Sequence, residues 1–332
     1  MNADSAIPLI DFDQFLNGST DRREQVASAI DAAFRSVGFL YVSNHGIDQD
    51  KVDECFQWSK RFFALSESKK NLIRRPPDKS IYRGYVGVGR EKVRERVCIK
   101  ESFDTGNPDE DEQTNLWPPE ELLPGFREFM EMFYQECSKL VRQLLDALSI
   151  ALHLAPADSL AQFHEASLFA MSLLYYPALP TKDLLSGAHT RIPAHSDFGT
   201  LTLLFQDDVG GLEIAEPGSA NTETSAGFEK EGRFRRVEPK PGTVVVNVGY
   251  LLMRWSNGRW KNTVHRVVEP PNSTIGGDEM TPARYSVPFF ASPDPATVVE
   301  ALPGCWSEEV PRRWKAISAG DYLRRKRQAV YV

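Results

Sequence analysis

The sequence predicts an α+β protein with a mainly β core, a double-stranded β-helix or jelly roll, flanked by helices and preceded by a helix-rich N-terminal region. Two patterns predict it. From about residue 166 to 295, short runs rich in Val, Leu, Thr and Phe are separated by turn pairs such as Gly210-Gly211, Pro241-Gly242 and Asn257-Gly258, the spacing of a closed antiparallel sandwich. Ahead of them, Phe126, Phe129, Met130, Phe133, Cys137, Leu140, Val141, Leu144, Leu145 and Leu148 recur every three or four residues. That is one apolar face of a long helix, suited to backing a sheet. The expected organisation is 1–120 as the N-terminal region, 121–165 as the backing helix, 166–295 as the core and 296–332 as a C-terminal helical segment.

Taken in order, the short run Ile7-Pro8-Leu9-Ile10-Asp11 reads as a strand. Ser19-Thr20-Asp21 offers caps for a helix to about Val37, with Val26, Ile30, Ala33 and Phe34 on its apolar side, and Gly38 stops it. Phe39-Leu40-Tyr41-Val42 is strand-like and Asn44-His45-Gly46 a turn, which makes His45 a hydrogen-bonded structural residue rather than a ligand. A second helix from about Gln49 carries Val52, Phe56, Phe62 and Phe63 as core. From Arg74 to Trp117 the periodicity fades into loop chemistry, including the acidic run Asp109-Glu110-Asp111-Glu112. Tyr82 to Arg90 is glycine-rich but lacks the Gly-Lys-Ser/Thr ending and the strand–turn–helix context of a phosphate loop. The core strands are Leu168–Tyr176, stopped by Pro177, then Thr200–Asp207, Gly211–Ile214, Phe234–Val237, Thr243–Val248, the run around His265, and Arg284–Phe290. Residues 217–232 read as a flexible polar loop, and Asp321 to Arg327 as a helix whose basic cluster is a solvated face.

With 332 residues, the chain has room for one large elaborated domain or two intimately packed ones. It is 41% hydrophobic and 26% charged, ordinary for a soluble globular protein, and its net charge of −7 argues against a nucleic-acid partner. No apolar run reaches membrane-spanning length. Met1 to Ala6 has neither a basic nor an apolar signal segment, so a cytoplasmic location is expected. The four cysteines show no metal-type spacing and read as reduced thiols.

The chemistry concentrates at His195-Ser196-Asp197, just ahead of a strand. Residues i and i+2 of an extended chain share a face, so an imidazole and a carboxylate project side by side. Alone, a His-x-Asp is commonly a surface hydrogen bond. His265 on a second strand-like run supplies the third member of a two-histidine, one-carboxylate set, the facial arrangement that leaves three positions of an octahedral Fe(II) open. Arg284-x-Ser286 adds a guanidinium fork and a hydroxyl on one strand face, a receptor for a carboxylate. A zinc hydrolase could use the same three ligands but would not need that receptor.

In this order the motifs resemble those of the iron- and 2-oxoglutarate-dependent dioxygenases of the isopenicillin N synthase-like family, within them fungal thymine 7-hydroxylase and related biosynthetic oxygenases. The resemblance runs from Ile7 to the C-terminal helix and includes Gly84-Tyr85, Gly89 to Val93, Lys100-Glu101-Ser102-Phe103 and Arg254-Trp255-Ser256-Asn257. It implies Fe(II) on His195, Asp197 and His265, with 2-oxoglutarate and O2 as co-substrates. Arg284, Ser286 and Tyr176 would take the far carboxylate of 2-oxoglutarate. Asp197 argues against the halogenating variants, which lack the carboxylate. Gly249-Tyr250 departs from the usual Gly-Asp of relatives and would alter a loop beside the core. By family position Tyr82, Arg90, Phe103, Leu173, Arg191, Phe205 and Phe289 would line a pocket for a small, flat, oxygenated or anionic substrate, with no nucleic-acid or membrane partner. Arg90 could equally pair with Glu91 or Glu95, and Arg191 could form an ordinary salt bridge facing solvent. Hydroxylation of a methyl group is the favoured outcome, with desaturation or rearrangement compatible with the same ligands. An oxidase that places its own substrate's carboxylate on Arg284, and a binding protein without catalysis, are the remaining readings.

Overall fold

In the computed structural model the described residues are 6–78, 80–93, 96–186, 189–222, 224–270 and 280–330. The core strands fall where the runs of strand-forming residues placed them. The stretch from Arg74 to Trp117, which reads as loop, also holds the strands Gly84–Val86 and Glu101–Gly106, which gain their order from pairing with the core sheet rather than from local periodicity. In chain order they are β1 (Leu9–Asp11), β2 (Phe39–Ser43), β3 (Gly84–Val86), β4 (Glu101–Gly106), β5 (Ala170–Tyr176), β6 (Ile192–His195), β7 (Leu201–Gln206), β8 (Leu212–Ala215), β9 (Phe234–Arg236), β10 (Thr243–Val248), β11 (His265–Val267) and β12 (Arg284–Ala291). An eight-stranded sheet has the order β1-β2-β10-β7-β12-β5-β4-β3, and a four-stranded sheet the order β9-β8-β11-β6.

The main helices are α1 (Thr20–Ser36), α2 (Gln49–Phe63), α3 (Phe126–Ala151), α4 (Ser225–Glu231), α5 (Tyr250–Trp255) and α6 (Ala319–Val330). Ser19 caps α1 by accepting the Arg22 amide, as the sequence suggests. Gly38 ends the segment at φ 77°, and a Cβ there would lie 2.1 Å from the Lys261 carbonyl oxygen, so only glycine fits. The backing helix α3 begins later than the Pro118-Pro119 signal, after Gly125 in the left-handed region at φ 81°. Residues 217–232 are not wholly loop: Thr224 accepts the Gly227 amide at 3.1 Å and starts α4.

Two apolar layers follow from strand alternation. On one face of the large sheet Phe103, Leu173, Phe205 and Phe289 pack with Met130, Phe133, Tyr134 and Leu144 of α3. On the other face Tyr41, Leu174, Tyr176 and Val245 meet Leu212, Ile214, Val237 and Val267 beside and on the four-stranded sheet. This second layer packs in the interior between the two sheets, the cavity side of the jelly roll. β1 to β4 all lie before residue 120 yet complete the large sheet, with Thr243 paired to Ser43 and Phe103 to Leu173. The N-terminal region is therefore continuous with the core. None of the four cysteines takes part in a disulfide.

Candidate metal centre and co-substrate pocket

β6 and β11 pair so that His195 lies opposite His265, with a register irregularity just beyond, and the ring centroids stand 4.3 Å apart. One ligand atom each from His195, Asp197 and His265 falls within 4.8 Å of the others. Both imidazoles place Nδ1 against a backbone carbonyl two residues back, Pro193 at 2.9 Å and Thr263 at 3.1 Å. A carbonyl only accepts, so the proton sits on Nδ1 and the Nε2 lone pair of each ring is left to bind a metal. Oδ2 of Asp197 accepts from Thr202 Oγ1 at 2.6 Å and Asn247 Nδ2 at 2.7 Å, while Oδ1 lies 3.7 Å from His265 Nε2.

Burial, then the neighbouring His265, push the His195 imidazolium down to about 4, so the ring is neutral at physiological pH. Burial alone would raise the Asp197 carboxyl. The two imidazoles and the bonds from Thr202 and Asn247 outweigh it and hold the group below the usual carboxylate range. Two neutral nitrogens and one anionic oxygen, pre-oriented by backbone and side-chain partners, are a fitting set for Fe(II).

The loop behind Asp197 is tied down from the backbone. The Asp197 carbonyl accepts from the Tyr250 amide at 2.9 Å and from Asn262 Nδ2 at 3.1 Å. Gly249 has the Gly199 oxygen where a Cβ would come within 2.2 Å, so this crossing excludes larger residues. Tyr250 stacks on Tyr322 of α6 with centroids 5.1 Å apart. The Gly-Tyr departure thus joins the loop to the C-terminal helix and leaves the triad intact.

Deeper in the cavity Arg284 is 1% exposed. Its Nη1 donates to Ser286 Oγ at 3.0 Å, its Nη2 to Gln206 Oε1 at 3.3 Å, and its Nε has no partner among the described residues. Tyr176, opposite Arg284 in register, lies under the guanidinium at 5.1 Å and shares a hydrogen bond with Ser286. A buried guanidinium with an unfilled donor beside two hydroxyls fits a carboxylate. Arg284, Ser286 and Tyr176 thus stand together as the motif suggests.

The expected substrate-pocket residues are mostly elsewhere. Phe103, Leu173, Phe205 and Phe289 face the helices: Phe103 lies 4.7 Å from Phe62, Phe205 5.5 Å from Phe133 and Phe289 5.1 Å from Tyr134, measured between ring centroids. Leu173 pairs with Phe103 and shares that layer. The error is one residue of strand parity, which transfers a side chain to the opposite face. Their cavity-side neighbours are Ser102, Leu174, Gln206 and Phe290. Phe290 pairs with Thr202, whose hydroxyl holds Asp197, and Phe198 follows that ligand directly; both rings are partly exposed. Counting in twos from Arg284 and Ser286 would have found Phe290.

Tyr82 sits under Arg327 of α6 at 5.7 Å, and Arg90 is exposed. Glu91 pairs with Lys100 rather than with Arg90, in a buried ion pair whose carboxylate also feels Arg75 and His195. Arg191 is not on the surface: it is wholly buried, 5.7 Å from the Tyr176 ring centroid. His45 is structural, its Nδ1 accepting the Ile47 amide at 3.3 Å.

Residues 7–120 match the family described as the non-haem dioxygenase in morphine synthesis N-terminal region, and residues 168–293 match the 2OG-Fe(II) oxygenase superfamily. The chain belongs to the 2OG-Fe(II) oxygenase superfamily. It is 37% identical over 331 residues to the 2-oxoglutarate-dependent dioxygenase frbA of Dothideomycetidae sp. (strain 11243), covering 94% of each chain. It is 36% identical over 300 residues to the proline hydroxylase buaE of Petromyces alliaceus, covering 88% of this chain and 89% of that one. A full-length Neurospora crassa protein, crystallised in complex with alpha-KG and thymine, superposes with a TM-score of 0.86 at 33% identity, over 99% of this chain and 98% of that one. The protein is accordingly a 2-oxoglutarate-dependent dioxygenase, using Fe(II), 2-oxoglutarate and O2. That retires the zinc hydrolase, the oxidase without 2-oxoglutarate and the inert binding protein. Among the described residues no helix is long and apolar enough to cross a membrane.

Proposed function

We propose that this dioxygenase oxidises a C–H bond, foremost that of a methyl group, on a small flat substrate of the pyrimidine or aromatic biosynthetic type, in the cytoplasm. The observation that carries this reading is the pair of partly exposed rings, Phe198 and Phe290, bordering Asp197. Aromatic faces suit a planar substrate, and the Neurospora crassa protein, similar along nearly the whole chain, is described in complex with thymine.

His195, Asp197 and His265 would hold the metal, the two imidazoles offering Nε2 and Asp197 a carboxylate oxygen. When bound, Fe(II) with 2-oxoglutarate and O2 supplies the oxidation of the C–H bond, and 2-oxoglutarate leaves as succinate and CO2. The Pro193 and Thr263 carbonyls fix the imidazole tautomers, and Thr202 and Asn247 fix the carboxylate. Arg284, with the Ser286 and Tyr176 hydroxyls, orients the co-substrate by its far end. Tyr41, Leu174 and Val245 keep water from the wall of the cavity. Desaturation or rearrangement after C–H cleavage would use the same residues.

The test is 2-oxoglutarate consumption screened against thymine, other methylated pyrimidines, methylated aromatics and free proline. The expected result is consumption matched one for one by a hydroxymethyl product from a flat substrate. Turnover with proline alone, the substrate class in the name of one relative, would overturn the reading.

A further inference from the structure

Arg191 precedes β6 and is 0% exposed. Of its three guanidinium nitrogens, Nε and Nη1 have no hydrogen-bond partner among the described residues, and Nη2 donates to the Pro282 carbonyl at 2.5 Å. Among the described residues it forms no ion pair: Asp207 and Glu269 act on it only from beyond contact distance, and the nearby Arg284 guanidinium opposes it. Burial, then that like charge, pull its pKa down to about 10. A buried cation with an open fork and a like charge nearby is unfavourable unless something anionic fills the gap.

The placement says where that gap is. Arg191 and Arg284 lie 5.7 Å and 5.1 Å from the centroid of the same ring, Tyr176. Arg284 also leaves Nε unfilled, as Gln206 leaves Nε2. His195 lies four residue steps along the chain from Arg191, roughly 13 Å when extended. Arg191 therefore stands with Arg284 around Tyr176, on the Arg284 side of the site rather than beside the triad.

We infer that Arg191 is a second anchor for 2-oxoglutarate, sharing the far carboxylate with Arg284, so that the co-substrate is held by two guanidiniums rather than one. This rests on the reading of Arg284 as the co-substrate anchor, and it replaces the expectation that Arg191 meets the primary substrate. The shared site also explains why two like charges are tolerated in one apolar wall: the ligand is their counter-ion.

The experiment titrates two keto acids calorimetrically into the Fe(II)-loaded full chain without oxygen. One is 2-oxoglutarate. The other is 2-oxopentanoate, of the same chain length with a methyl group in place of the far carboxylate. Arg191→Gln should weaken 2-oxoglutarate by roughly 10- to 100-fold, the loss of charge-assisted hydrogen bonds, and leave 2-oxopentanoate nearly unchanged. Arg191→Lys should recover part of the loss, since a point charge lacks the fork. In the absence of co-substrate, Arg191→Met should melt at a higher temperature than wild type and show a smaller 2-oxoglutarate-induced shift. An arginine kept only for packing would lower the melting temperature instead. Wild-type 2-oxoglutarate affinity in Arg191→Gln, with affinity lost in Arg284→Gln, would overturn the inference and leave the Arg284 anchor standing. Unchanged affinity in Arg284→Gln would overturn the anchor itself, and the shared site with it.

Discussion

The two faces of the large sheet use the same strands for opposite purposes. Toward the helices, Phe103, Leu173, Phe205 and Phe289 close a dry aromatic layer on α3. Toward the cavity, the adjacent residues Ser102, Leu174, Gln206 and Phe290 share a surface with Arg284, Ser286, Thr202 and Asn247. One face is interchangeable apolar filling. The other holds buried polar groups, several of them unsatisfied until a ligand arrives. A protein can keep such groups only where the opposite face supplies enough apolar burial to hold the strands in place.

The sharpest test of this division is the triad. His195→Ala, Asp197→Ala and His265→Ala should each bring succinate formation under saturating iron down to background, while circular dichroism stays that of the folded protein. Full activity in any one of them would remove that residue from the metal. Next in size is Arg284→Ala, which strips a buried anion receptor of its charge. The apparent KM for 2-oxoglutarate should rise by the equivalent of about 3–5 kcal/mol, with Arg284→Lys intermediate.

The neighbours Phe289 and Phe290 separate the faces directly. Phe289→Ala opens a cavity against Tyr134 and Phe169 and should reduce unfolding free energy by about 3–5 kcal/mol. Phe290→Ala should change stability by only about 1 kcal/mol but lower kcat/KM for the primary substrate. Denaturant curves and coupled turnover on the same two variants check both, and reversed outcomes would mean the faces are misassigned.

The effect most confined in its conditions concerns pH. His164, buried on the helix side, has Nε2 2.7 Å from Thr200 Oγ1 and Nδ1 2.8 Å from the Leu160 carbonyl, and burial pushes its pKa down to about 4. The unfolded chain takes up a proton near pH 6.5 that the folded chain refuses. Its contribution is therefore complete above about pH 6.5 and is lost as pH falls toward 4, by about 3 kcal/mol. His164→Gln should flatten the fall in unfolding free energy between pH 7 and 5.

Local pattern made much of this legible. The backing helix α3 showed itself by its three-to-four residue repeat, and β7, β10 and β12 by runs of strand-forming residues between turns. The metal set and Arg284-x-Ser286 were readable because a two-residue spacing on an extended chain is a statement about one face. The same rule, applied without an anchor, misplaced Phe103, Leu173, Phe205 and Phe289 by one residue each. Parity within a strand is fixed by the chain, but which parity meets the cavity depends on the layers that cover the sheet.

By itself, then, the sequence determined the core strands, the backing helix, the ligand types and the anion receptor, all properties of residues a few positions apart. The strands at Gly84–Val86 and Glu101–Gly106 and the helix at Ser225–Glu231 lay in stretches that read as loop. Tertiary structure decided what depends on distant partners. Thr243 pairs with Ser43, which makes the N-terminal strand part of the catalytic sheet. Asn247 reaches Asp197 across fifty positions, and Lys100 takes Glu91 into a buried ion pair. Arg191 passes from an exposed-looking charge to a buried one beside Tyr176. No local rule reaches these, because burial and long-range pairing are set only when the two sheets close on each other.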